Sequence, residues 1–147
     1  MPAQVYDWTC SAAATEWVER GIGAPRSDDV YGNREQVVYA IGYPHNINSA
    51  VGLRDGSGAQ LQRVLGEHAG LVTEQAWGLT FDQALALFSK TFGLASGQEY
   101  YHWVGIAGVE DTLIRIGNSA PGYRGVYSQL SRWDWDALGP WSVVWIV

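Results

Sequence analysis

The chain has one cysteine, Cys10, and it stands in Gln4-Val-Tyr-Asp-Trp-Thr-Cys10-Ser-Ala-Ala-Ala, where a helix is expected to begin. A thiol at that position meets the unpaired N–H groups of a first helical turn and the positive end of the helix dipole. Both favour the thiolate, so the spacing predicts a cysteine that ionises more readily than a free one. A cysteine nucleophile also needs a base, a group that orients the base, and donors for an oxyanion. Candidates for these are His102 in Tyr-Tyr-His102-Trp-Val-Gly-Ile-Ala-Gly, Asn118 in Leu-Ile-Arg-Ile-Gly-Asn118-Ser-Ala-Pro-Gly, and the side-chain amide of Gln4.

The elements that must position these groups are legible around them. Thr9 is a suitable N-cap, residues Ser11 to Arg20 hold no proline, and Gly21 stands where a left-handed helix end is wanted. Cys10, Ala13, Ala14 and Trp17 recur at helical spacing, which sets the sulfur at the end of an apolar stripe. The segment from Tyr101 to Gly117 reads as a β-hairpin around Glu110-Asp111. For His102 and Asn118 to share a face they must pair directly or diagonally, and direct pairing requires a three-residue loop, Val109-Glu110-Asp111. A two-residue Glu-Asp turn would put them on opposite faces.

Gln-x5-Cys at a helix start, a distant His opening a strand, and an Asn on the returning strand resemble the papain-like cysteine peptidases. Asn118-Ser-Ala-Pro-Gly resembles the Asp/Asn-Pro segment of the bacteriocin-leader-peptidase branch, the nearest match, and the resemblance spans the chain. It implies Cys10 as nucleophile, His102 as general base and then acid, Asn118 as the residue orienting the imidazole, and Gln4 as oxyanion donor beside the Cys10 N–H. The reaction implied is acyl transfer through a thioester, on a peptide or another amide. The Asp-Cys-Gly of the leader peptidases has no match, since Trp8 and Thr9 separate Asp7 from Cys10, and leader cleavage is not carried over.

Composition sets the outer bounds. A chain of 147 residues is expected to form a single domain, residues 1–147, with a core that needs no disulfide. The net charge of −6 argues against nucleic-acid and anionic-membrane partners, whose affinity comes from clustered Lys and Arg. No apolar run is long enough to span a bilayer and no signal peptide opens the chain, so a soluble protein is expected, cytoplasmic as written or exported if cut from a longer chain. No cofactor is expected, and His45 and His68 lack the Cys/His neighbours of a metal site.

Elsewhere, Ser57 is expected to cap a helix carrying Leu61, Val64, Leu65 and His68. Thr80 and Gln83 form a capping-box pattern ahead of Phe81, Ala84, Leu85, Phe88 and Phe92, with Gly93 as the stop. Trp141 to Val147 reads as a central strand, and Trp133 and Trp135 are candidates to line a substrate groove. The fold class expected is α+β and papain-like: an N-terminal helical half, with the nucleophile at a helix N-terminus, packed on a C-terminal antiparallel sheet. Two other functions fit the same residues: transglutaminase-like acyl transfer to an amine, and a peptide- or glycan-binding module whose Cys10 is inert.

Overall fold

A computed structural model describes residues 10, 11, 14, 15, 18, 41, 42, 45–48, 52, 53, 57–99, 102–117 and 129–147. Cys10, Ser11, Ala14, Thr15 and Val18 are helical, and the Thr15 hydroxyl donates to the Ser11 carbonyl one turn back, at 2.8 Å. Ala14 and Val18 are buried, so this side of the helix faces inward, while Ala13 and Trp17 of the expected stripe lie outside the described residues. Thr9 and Gly21, the expected caps of this helix, lie outside the described residues.

Two short strands, β1 (Ile47–Asn48) and β2 (Gly52–Leu53), pair antiparallel and insert Ile47 into the core. Helix α1 (Ala59–Ala69) then buries Leu61, Val64 and Leu65 at the i, i+3, i+4 spacing. Its N-cap is Gly58 in the left-handed region rather than the expected Ser57, whose hydroxyl receives a long bond from the Ala59 N–H at 3.4 Å. Only glycine fits there: a Cβ on Gly58 would stand 2.6 Å from Val144 Cγ2 and 3.1 Å from the Trp103 ring.

Strand β3 (Thr73–Trp77) follows, then α2 (Phe81–Phe88), which opens with the expected capping box: Thr80 Oγ1 accepts from the Gln83 N–H at 3.2 Å, and Gln83 Oε1 accepts from the Thr80 N–H at 2.9 Å. The helix ends at Ser89, not at Gly93. Gly93 instead opens β4 (Gly93–Gly97), whose Gly-Leu-Ala-Ser-Gly sequence lacks strand-forming residues. Its glycines answer to close approach, because a Cβ on Gly93 would run into the Val144 carbonyl and the Phe88 ring.

Next come β5 (His102–Glu110), β6 (Leu113–Gly117), β7 (Gln129–Leu130), α3 (Arg132–Leu138) and β8 (Trp141–Ile146). Helix α3 carries a capping box of its own between Ser131 and Asp134. The six strands from β3 to β8 form one antiparallel sheet in the order β3-β8-β4-β5-β6-β7, so β8 is an inner strand, as its β-branched run predicts.

Strand alternation divides the sheet into two faces. Leu94, Trp103 and Val144 pack one face against Ala14, Val18, Ile41, Ile47 and α1. Ala95, Val104, Ile106, Trp141 and Val143 pack the other against Phe81, Ala84, Phe88 and Trp135 of α2 and α3. The class is α+β, with the helical half against the sheet. It departs from a strict two-half division in that β3 inserts between two helices and α2 covers the second face. No described helix is long and apolar enough to cross a membrane.

Candidate active site

The Cys10 thiol is partly buried against the core beneath the first face. Three backbone N–H groups point at it: those of Trp103, Ser11 and Cys10 itself. Two of these come from the helix that carries Cys10, and the third comes from β5. All three favour the thiolate, yet burial outweighs them and pushes the thiol above its ordinary value. The expectation of a thiol that ionises readily on its own is therefore overturned, because the helix start that supplies the amides also removes the water that would solvate the anion.

The Trp103 amide is the connection that matters. Its nitrogen is bonded directly to the His102 carbonyl carbon, so the thiol docks on the backbone of the residue after the candidate base. His102 is the half-buried first residue of β5. Alternation puts the Trp103 ring on the first face, against Gly58 and Val144, and Val104 and Ile106 on the second, while the Trp103 N–H that meets the thiol lies in the plane of the sheet between the two faces. His102 pairs with Gly97, and Gly97 in turn pairs with Trp141, so these residues form one row across the sheet.

The hairpin differs from its expected form. Glu110 pairs with Leu113, leaving a two-residue turn of Asp111 and Thr112 with Asp111 at φ 55°, in place of the loop Val109-Glu110-Asp111. Asp tolerates that conformation better than most residues, and the Glu110 to Arg115 ion pair at 2.7 Å spans the turn. The odd residue that the loop would have supplied appears instead as a β-bulge at Ala107, between the pairs Ile106–Ile116 and Gly108–Arg115. Gln4 and Asn118 lie outside the described residues.

Other features sort quickly. Trp135 does not line a groove: it is buried, stacked on Trp141 with centroids 4.4 Å apart, and it donates Nε1–H to the Leu79 carbonyl. Trp133 is 85% exposed. A cleft of roughly 520 Å³ among Phe88, Lys90, Phe92, Gly108 and Asp111 lies toward the other end of β5 from His102. No group of three or more His, Cys, Asp or Glu able to hold a metal occurs among the described residues. The buried hydroxyl of Ser11, next to Cys10, has no hydrogen-bond partner among the described residues. The parts that sequence reasoning missed are the Trp103 amide and Gly97. A backbone donor leaves no trace in residue type, and nothing in the sequence around Gly97 singles it out.

Solved structures share this fold. The chain is similar to a double glycine motif protease from an AMS/PCAT transporter, solved in complex with the leader peptide, with a TM-score of 0.66 and 15% identity over 98% of this chain and 88% of that one. It is also similar to the peptidase domain of Streptococcus ComA, a bi-functional ABC transporter involved in a quorum-sensing pathway, with a TM-score of 0.64 and 12% identity over 99% of this chain and 96% of that one. No family model matches the sequence, and no curated protein does. The fold is thus that of papain-like peptidase domains, the branch that the residue pattern resembles.

Proposed function

We propose that residues 1–147 form one cysteine peptidase domain, in which Cys10 attacks a peptide carbonyl with His102 as its base. The observation that carries this reading is the Cys10 thiol docked on the Trp103 N–H, which joins the helix start to the residue after His102. His102 takes the thiol proton as the C–S bond forms. The oxyanion is held by the Cys10 N–H and the Gln4 amide, and the proton passes from His102 to the leaving amine as the C–N bond breaks. Water, deprotonated by His102, then hydrolyses the thioester and restores the thiol.

Burial of the thiol makes the base essential rather than helpful, because Cys10 alone stays protonated at neutral pH. Asn118, on this reading, orients the imidazole. The described part of β6 ends with Gly117 paired to Gly105, beside the strand that His102 opens. Peptides are the substrate class, in line with the leader peptide held by one structural neighbour.

The test is Cys10 alkylation by iodoacetamide against pH, followed by intact mass, in the native protein and in His102→Ala. The native protein is expected to label well below the free-thiol value of about 8.5, and His102→Ala only above it. A second reading, a peptide-binding module with an inert thiol, draws on the same burial of Cys10. Coincident profiles in the two proteins, both with a single midpoint above the free-thiol value, would establish that reading and sink the first.

A further inference from the structure

The described residues show what holds the start of β5 in place. The connection from β4 to β5 is held from outside its own hairpin: the Gln98 N–H donates to the Pro140 carbonyl at 2.9 Å and the Glu99 N–H to the Leu138 carbonyl at 3.0 Å. Both acceptors belong to the corner between α3 and β8. That corner is itself fixed to α3, since Trp141 Nε1–H donates to the Trp135 carbonyl at 2.7 Å and the Gly139 N–H reaches the same carbonyl at 3.1 Å.

The corner also lies over Gly97, the cross-strand partner of His102. A Cβ on Gly97 would stand 2.5 Å from the Leu138 carbonyl oxygen and 3.1 Å from Trp141 Cζ2. The Trp141 ring therefore reaches over Gly97 from the next strand, along the row that ends at His102. Neighbouring strands are about 4.8 Å apart, so the ring edge occupies the space beside the base that any larger residue at position 97 would fill.

We propose that the α3–β8 corner, seated on Gly97, positions His102 for its work on Cys10. This rests on the reading of His102 as the base. Gly97 and Trp141 are positioning residues: they touch no substrate and act through the placement of the imidazole. Displacing an oriented base by a fraction of an ångström to an ångström lowers the rate without unfolding the chain.

A matched pair of variants tests it. Gly97→Ala and Gly93→Ala both drive a methyl group into a backbone carbonyl from the same strand, but Gly93 pairs with Ile106, away from His102. Cys10 alkylation by iodoacetamide at neutral pH is expected to slow on the order of tenfold in Gly97→Ala and to stay within about twofold in Gly93→Ala. The His102 ring resonances, assigned by their loss in His102→Ala, are expected to move only in Gly97→Ala. Should Gly97→Ala not fold, Trp141→Phe serves, since it removes the bond to Trp135 and keeps an aromatic ring. Equal effects of the two glycine variants on rate and resonances, or an unmoved His102 signal in Trp141→Phe, would overturn the proposal. If instead His102→Ala leaves alkylation unchanged, the base reading fails, and the resonances alone still report whether the corner places the ring.

Discussion

Cys10 is subject to two opposed effects, and their sign has a measurable consequence. The amides of Trp103, Ser11 and Cys10 lower the thiol pKa and burial raises it, with burial ahead. A group that holds its proton more tightly when folded contributes stability that is complete below the unfolded pKa, about 8.5 for a thiol, and is lost as pH rises through the folded value. Without the base, the difference in melting temperature between His102→Ala and the double variant Cys10→Ala/His102→Ala is therefore expected to shift against the protein that keeps the thiol as pH is raised from about 8 to about 10. Tyrosines and lysines titrate alike in both proteins and cancel. A difference independent of pH would show that the folded thiol titrates like a free one.

At the level of elements, the two helices on the second face are fixed by reciprocal caps, not by the charges at their ends. Thr80 with Gln83 and Ser131 with Asp134 each satisfy two otherwise unpaired N–H groups. Asp82 and Arg132 make a 2.6 Å ion pair that lowers the carboxyl and raises the guanidinium, but both groups stand in water, where such pairs contribute little. Thr80→Ala is expected to cost about 1 kcal/mol in urea denaturation. A loss near zero would mean that burial of Phe81, Ala84 and Phe88 fixes the helix start without the cap.

For the molecule as a whole, function depends on how the helical wall and the sheet meet. Gly58 is a point of close approach, where α1 begins against Val144 and the Trp103 ring, and Trp103 is also the residue whose N–H donates to the thiol sulfur. Gly58→Ala combines a left-handed backbone with overpacking and is expected to destabilise by about 2–4 kcal/mol. Because the clash pushes on Trp103, Cys10 alkylation is expected to change in any fraction that stays folded. Unaltered alkylation in folded Gly58→Ala would uncouple the wall from the site.

The residues by themselves determined the chemistry on offer and the elements with strong local patterns. The helix carrying Cys10, the α2 capping box and the β8 run could be read because their signals are periodic or lie within a few residues of one another. Only the tertiary structure decided the rest. Strand β4 is invisible to propensity, because its glycines answer to carbonyls of β8 and the α3–β8 corner, distant in sequence. The two-residue turn and the Ala107 bulge have the parity of a longer loop, so hairpin length alone could not distinguish them. The thiol's proton affinity depends on how much water the packed core excludes, a property of the assembled fold that no spacing along the chain encodes.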